Sequence, residues 1–216
     1  MEGAQLINTA KAPKAPKAAA KATPKDNISR TLSFYLRHNS DGLEMDAEGF
    51  VKVSNLLVLE KFQGTTIEDI CKVVESCEKK RFKLKKIGED FFIAANQGHT
   101  IKGIEVGQPF VPMESTIVFH GTNCSAWDYI KKSGLSPMDR NHIHFASGLP
   151  DDGQVISGMR TNCEVIISID VFKCIENGIK FIISDNGVIL TAGNENGIVP
   201  HSLFVSVVDR SGKSLM

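Results

Sequence analysis

The 216-residue sequence predicts an α+β protein of two lobes, and three observations carry that expectation. Residues 28–100 mix helical periodicity with two-residue alternation, and residues 101–216 run mostly as short β-type segments. Between them, Gly98 to Glu114 is polar and contains Pro109 and Pro112, the composition of a joint. A chain of this length buries a working core as one large domain or two small ones. Its 42% hydrophobic and 23% charged residues are the balance of a globular protein rather than a disordered or fibrous one.

Residues 1–27 stand apart as a tail. From Lys11 the chain reads KAPKAPKAAAKATPK, whose prolines and isolated charges leave no apolar face to bury. A weak electrostatic hold on RNA and an organelle-targeting peptide are two readings of it. Transit peptides favour Arg and Ser and avoid acids such as Glu2, so a solubilising extension is the reading adopted.

In the first lobe, Ile28, Leu32, Tyr35 and Leu36 fall at helical spacing behind Asn27, the expected N-cap, and the helix ends near Arg37-His38-Asn39. Asp46 to Gly49 turns the chain into a strand, Phe50 to Val53, after which Ser54 caps a short helix through Leu56, Leu57 and Leu59. Thr65-Thr66-Ile67-Glu68 has the form of a capping box for a helix with Ile67, Ile70, Cys71, Val74 and Cys77 on one face, ending in Glu78-Lys79-Lys80-Arg81. Phe82 and Leu84 alternate with Lys83 and Lys85, Gly88-Glu89-Asp90 turns, and Phe91 to Ala94 returns. Helix, strand, two helices and a hairpin make a winged-helix pattern, a frame that holds nucleic acid.

In the second lobe the expected strands are Ile117–His120, His142–Phe145, Cys163–Asp170, Lys180–Ser184, Val188–Thr191 and Leu203–Val208, with Asn186-Gly187 as a type I′ turn. One helix, about Ser125 to Lys132, stops at Gly134.

No apolar run approaches the roughly 18 residues that span a bilayer, and the N-terminus has no apolar signal core, so the expectation is an intracellular protein, cytoplasmic or nuclear, with no membrane partner. Five cysteines without a C-x-x-C pair point to reduced thiols, not a disulfide frame or a thiolate zinc site. The chain is neutral overall, but five lysines against Glu2 and Asp26 give the tail +3, leaving −3 for the rest. Such a body holds RNA only through a local cationic cluster, since attraction between charges fades within a Debye length of about 8 Å.

His142 and His144 project from one face of a strand and could join His120 around a metal. No carboxylate or Cys completes such a set, and alternate histidines on a half-buried strand more often make hydrogen bonds, so no metal is expected. Arg37-His38 at a helix end, Arg81 after two lysines and Arg160 in a Gly-bearing loop are each unremarkable singly. Together they supply what a phosphate monoester needs, several guanidinium forks and one imidazole that moves a proton near neutral pH.

These residues sit in LSFYLRH (32–38), DAEGFVKVSNLL (46–57), KKRF (79–82), IAANQGH (93–99), FHGT (119–122), MDRNHIHFA (138–146), VISGMR (155–160) and SDNGVILTAGNENGIVP (184–200). In that order and spacing the chain resembles the tRNA 2′-phosphotransferases, a family that uses NAD. The resemblance spans nearly everything after residue 27. It implies a winged-helix RNA lobe over residues 28–100 and an NAD lobe similar to ADP-ribosyltransferases over 101–216. Separately, a monomer is the expectation. It implies a catalytic tetrad of Arg37, His38, Arg81 and Arg160, every member of which is present.

The implied chemistry has two steps. The RNA 2′-phosphate displaces nicotinamide from the ribose C1″ of NAD, and the ribose O2″ then attacks phosphorus, releasing RNA with a 2′-hydroxyl and ADP-ribose 1″,2″-cyclic phosphate. By the same resemblance His120, Gly121, Thr122, His142 and Ser157 contact NAD, and Asn96, Gln97 and His99 are RNA-side candidates. Many protein-modifying ADP-ribosyltransferases carry a catalytic Glu where this chain has Asn186 to Leu190 without a carboxylate. An already ionised phosphate acceptor does not require one. Two rival readings are a transferase that leaves ADP-ribose on a terminal phosphate of RNA or DNA, and a winged-helix RNA binder without catalysis.

Overall fold

The computed structural model describes residues 24–40, 42–149, 158–160 and 162–216. The stretch from Met1 to Thr23, which holds most of the expected tail, and Ser157 lie outside the described residues. The chain is α+β, with five α-helices among antiparallel sheets in the described residues.

Helix α1 (Pro24–Arg37) begins ahead of the expected cap Asn27. Proline lacks the N–H that a first turn leaves unbonded anyway, and its fixed φ suits a helix, so Pro24 opens α1. Asn27 instead offers its carbonyl to Thr31 Oγ1 at 2.9 Å. Leu32 and Leu36 are fully buried, each contributing about 1.5–3 kcal/mol, and their stripe fixes the rotation of the helix that ends on Arg37.

Strand β1 (Val51–Lys52) is shorter than expected because Val53 already opens helix α2 (Val53–Leu57). The cap is Lys52 in extended conformation without a side-chain bond, so Ser54 lies inside α2 and does not cap it; buried Val53 and Leu56 anchor the helix. A 3-10 turn, Glu60–Phe62, follows and buries Phe62. The capping box of α3 (Ile67–Glu75) is displaced by one residue. Asp69 N donates to Thr66 Oγ1 at 3.2 Å and Thr66 N donates to Asp69 Oδ2 at 3.1 Å. That frame buries Ile70 and Val73, with Val74 only at the margin, and ends α3 before the expected Glu78–Arg81.

Strands β2 (Phe82–Ile87) and β3 (Asp90–Ala95) form a hairpin whose turn is Gly88-Glu89, and β1 adds to β3 to give the order β1-β3-β2. One hydrophobic core joins α1, α2, α3 and this sheet.

The second half contributes β4 (Gln108–Pro109), β5 (Ile117–Thr122), α4 (Cys124–Ser133), β6 (Ile143–Phe145), β7 (Val165–Asp170), α5 (Val171–Glu176), β8 (Ile182–Ile183), β9 (Ile189–Thr191) and β10 (Phe204–Asp209). They make two antiparallel sheets, β10-β7-β5 and β4-β8-β9-β6, linked by a bridge between Phe119 and Ala146. The larger core fills the space among them. Helix α5 was not expected. Asp170 Oδ1 accepts from Phe172 N at 3.0 Å and Lys173 N at 3.4 Å, a cap at the end of a strand that the alternation alone does not show.

The β8–β9 turn is not type I′, which needs positive φ at both Asn186 and Gly187; only Gly187 has it, at 78°. Asp185 joins the loop, Gly187 N donates to Ser184 O at 2.8 Å, and Ser184 N donates to Val188 O at 3.0 Å. It is a three-residue turn with glycine in its left-handed position. All five cysteines are unpaired. No helix among the described residues is long and apolar enough to cross a membrane.

Candidate active site

Arg37 is the last residue of α1, and the chain folds back on it at residues 96–100. Thr100 N donates to Arg37 O at 2.8 Å, and Thr100 Oγ1 donates to the same oxygen at 3.2 Å. Gly98, with φ of 92°, lays bare backbone beside the guanidinium; a Cβ there would sit 3.6 Å from Arg37 Nη1. Phe82 covers another side, its ring centre 6.0 Å from Arg37 Cζ. The guanidinium is thus sandwiched, and its Nε and Nη2 are buried without a hydrogen-bond partner. Burial, and then the charges of Arg140 and Arg81, push its pKa down to about 10.

His38 follows, with Nδ1 at 3.2 Å from Thr100 Oγ1. The tautomer with the proton on Nδ1 satisfies both Thr100 Oγ1 contacts at once, the hydroxyl accepting from His38 and donating to Arg37 O, and it leaves Nε2 with its lone pair. Partial burial and the charges of Arg37 and Arg140 lower the imidazole pKa, which keeps it neutral at pH 7 and able to accept a proton. Arg81 leaves the loop after α3; its backbone N and Nη1 both donate to Cys77 Sγ, at 3.4 and 3.5 Å.

From the second half, the turn before β6 brings Arg140. Its neighbour Asn141 donates from N to His99 O at 2.9 Å and from Nδ2 to Ile101 O at 2.7 Å, so this turn is fastened to the segment that folds over Arg37. The positive charge of Arg140 lowers the pKa of Arg37, His38, His120 and His144, and Arg160 does the same to Arg140. Arg81, Arg37, Arg140 and Arg160 therefore form one chain of mutually repelling guanidiniums. Among the described residues none of the four is in an ion pair with a carboxylate.

The histidines line the same region. His120 Nδ1 donates to His144 O at 2.9 Å, joining β5 to β6, and burial lowers its pKa. His99 is held down to about 4 and His144 to about 3, by burial first and then by Arg37 and Arg140 respectively. The Nε2 atoms of both are buried and unpartnered. His142 is partly buried beside Lys102, which also lowers its pKa.

Asn96 is buried and donates from Nδ2 to Lys80 O at 2.6 Å, leaving Oδ1 without a partner; Gln97 beside it is half-buried. Thr122 ends β5, where its carbonyl accepts from Glu164 N at 2.8 Å. Gly121 serves packing: a Cβ there would meet Met159 Cγ at 2.4 Å and Cys163 Cβ at 2.9 Å. Gly158 likewise permits close approach, a Cβ there meeting Phe145 O at 2.8 Å. The two glycines let the segment bearing Arg160 lie against β5 and the end of β6. Among the described residues no group of three His, Cys, Asp or Glu side chains gathers as a metal site.

Arg140, an exposed residue of a turn, looks in sequence like ordinary solvated surface. Its place one residue before Asn141 and two before His142 was the available signal, visible only once those neighbours are known to face Arg37.

The depressed His99 and His144 pKa values fix a pH dependence. In the unfolded chain both titrate near 6.5, while the folded protein takes up these protons only near pH 4 and 3. Between those limits the unfolded state binds more protons, so stability present above pH 6.5 is lost as pH falls. The expected slope is about 1.4 kcal/mol per pH unit for each histidine well inside that window. Urea melts between pH 7 and 5 should show a shallower acid limb for His99→Gln than for the wild type; equal slopes would contradict the burial argument.

Four neighbouring arginines with no carboxylate partner among the described residues, one of them with buried unpartnered guanidinium nitrogens, and two histidines with unpartnered Nε2 atoms make a cationic site of the kind that suits a phosphate group. A sequence model of the RNA 2′-phosphotransferase, Tpt1 / KptA family matches residues 23–193, which include every site residue named above. The chain is 42% identical over 188 residues to tRNA 2′-phosphotransferase 1 of Danio rerio, covering 82% of each protein. It is 41% identical over 184 residues to tRNA 2′-phosphotransferase 1 of Homo sapiens, over 80% of this chain and 71% of that protein. With the tRNA 2′-phosphotransferase of Saccharomyces cerevisiae it shares 36% identity over 155 residues, 66% of this chain and 67% of that one. The chain belongs to this family and is an enzyme.

Proposed function

We propose that the enzyme transfers an internal RNA 2′-phosphate, at the splice junction of ligated tRNA, to NAD. The products are nicotinamide, ADP-ribose 1″,2″-cyclic phosphate and RNA with a 2′-hydroxyl. One observation carries this reading. All the buried side-chain polar atoms without a partner among the described residues belong to Arg37, Asn96, His99 and His144, within the one cluster. Such atoms are rare in folded proteins, and a set of them in one place marks a ligand site.

In this reading Arg37, Arg81 and Arg160 hold the phosphate oxygens, and Arg140 adds a fourth positive charge between them and the histidines. NAD is a substrate, consumed rather than resident, and supplies the ribose carbon and hydroxyl that take the phosphate. His120, Gly121, Thr122, His142 and Ser157 hold it, with residues 101–216 as an ADP-ribosyltransferase-like lobe. Residues 28–100 act as a winged-helix RNA lobe, with Asn96, Gln97 and His99 on its RNA side. In the second step His38 Nε2 takes the proton of the ribose O2″ as that oxygen attacks phosphorus, and returns it to the departing RNA 2′-oxygen. No step calls for a metal. All the proposed residues come from one chain, so a monomer suffices, and substrates of this kind put it in the cytoplasm or nucleus.

The test is incubation with an RNA bearing one internal 2′-phosphate, with and without NAD and with EDTA present. NAD-dependent appearance of ADP-ribose 1″,2″-cyclic phosphate is the expected result. A lasting ADP-ribose adduct on a terminal phosphate, or RNA that is bound and unchanged, would overturn it.

A further inference from the structure

Arg81 occupies a loop whose backbone is strained. Lys80, just before it, takes φ of 42°, a left-handed conformation that a lysine adopts only when its surroundings impose it. Two asparagines impose it from opposite sides. Asn96 Nδ2 donates to Lys80 O at 2.6 Å while Asn96 N donates to Arg81 O at 2.9 Å. From the other half of the chain, Asn186 Nδ2 donates to Lys79 O at 3.1 Å.

The Asn186 amide is itself oriented. Its Oδ1 lies 2.8 Å from the buried Ser184 hydroxyl, and Lys79 O, which can only accept, requires the NH2 group to face it. Next to it, Asp185 forms an ion pair with Lys83 at 2.9 Å, two residues beyond Arg81. The β8–β9 turn does not itself require asparagine at 186, since Gly187 carries the positive φ. The identity of residue 186 is used in the contact across to Lys79.

We propose that the Asp185-Asn186-Gly187 turn is a latch, and that Asn186 is a positioning residue which holds the Lys79–Arg81 loop so that the Arg81 guanidinium meets the phosphate. This rests on the functional reading above, in which Arg81 acts on that phosphate. Cutting the contact lets the strained loop relax and Arg81 withdraw, while α3, β2 and the β8–β9 hairpin keep their own hydrogen bonds.

The experiment is a double-mutant cycle of Asn186→Ala and Arg81→Ala on the full chain. RNA 2′-phosphate release is followed with NAD saturating, well below each variant's melting midpoint. Asn186→Ala alone should lower kcat roughly tenfold, with KM for RNA changed less than about threefold. In the Arg81→Ala background it should have no further effect, because both changes remove the same guanidinium from the reaction. Multiplicative losses, or wild-type kcat in Asn186→Ala, overturn the latch while leaving the functional reading intact. An active wild type with a fully active Arg81→Ala overturns both the latch and the role of Arg81. A wild type that releases no phosphate at all is the separate failure of the functional reading, and the latch falls with it.

Discussion

Arg37→Met is expected to raise the melting midpoint of the ligand-free protein by roughly 2–8 °C while lowering kcat by about a thousandfold. The two effects have one cause. The Arg37 guanidinium is buried with Nε and Nη2 unpartnered, and Arg81 and Arg140 add repulsion, so the charge is held at a cost in the ligand-free protein. Methionine has similar length and no charge, and replacing poorly compensated buried charges by apolar groups stabilises by about 1–2 kcal/mol or more. In the proposed function the same guanidinium supplies charge to the phosphate, and one such contact is worth about 2.7–4 kcal/mol in the transition state. Scanning calorimetry and steady-state rates on the same preparation check both halves. A lower midpoint with activity retained would mean that Arg37 is a structural residue with partners of its own.

Gly121→Ala is expected to cost about a hundredfold in activity, and a second change, Met159→Ala, to restore most of it. The added methyl would sit 2.4 Å from Met159 Cγ, so the segment that carries Arg160 must move away from β5. A displacement on the order of 1 Å is enough for a loss of that size. Shortening Met159 removes the obstacle. Rescue is the informative outcome, because a glycine needed only for backbone contact with NAD would not be rescued by trimming a side chain on the protein. Rates for the two single variants and the double variant decide it, and a double variant as impaired as Gly121→Ala would reject the spacing role.

The α+β class and the order of elements in the first half were legible because they depend on periodicities that one face of a helix or strand imposes. The β7 strand and the helix ending at Gly134 were visible for the same reason. What failed was decided by single hydrogen bonds. The capping box lies at Thr66 and Asp69, one residue from the expected pair, because the frame that buries Val73 wins over the local motif. Asp170 caps a helix that alternation alone reads as the end of a strand. Asp185 lengthens a turn that the Asn-Gly pair suggests should have two residues.

The site divides along the same line. Arg37, His38, Arg81 and Arg160 stand out in the sequence through family resemblance, as the set proposed to hold the phosphate. Their convergence does not, since it depends on Thr100 and Asn141 tying distant segments together. Arg140 escaped notice because an arginine in an exposed turn reads as solvated surface. Gly121 was read as a contact residue, and its packing against Met159 emerges only when the 158–160 segment is seen to lie on β5.

In the proposed function the unpartnered polar atoms of Arg37 and its neighbours receive an RNA 2′-phosphate. The most direct measurement is the NMR resonance of Arg37 Nε–H, assigned by its loss in Arg37→Met, during titration with two oligoribonucleotides of one sequence that differ only in a single internal 2′-phosphate. A downfield shift and slowed exchange are expected with the phosphorylated RNA, and little change with the 2′-hydroxyl RNA. Equal responses to both RNAs, or none to either while binding is measurable by other means, would place the phosphate elsewhere and contradict the proposed function.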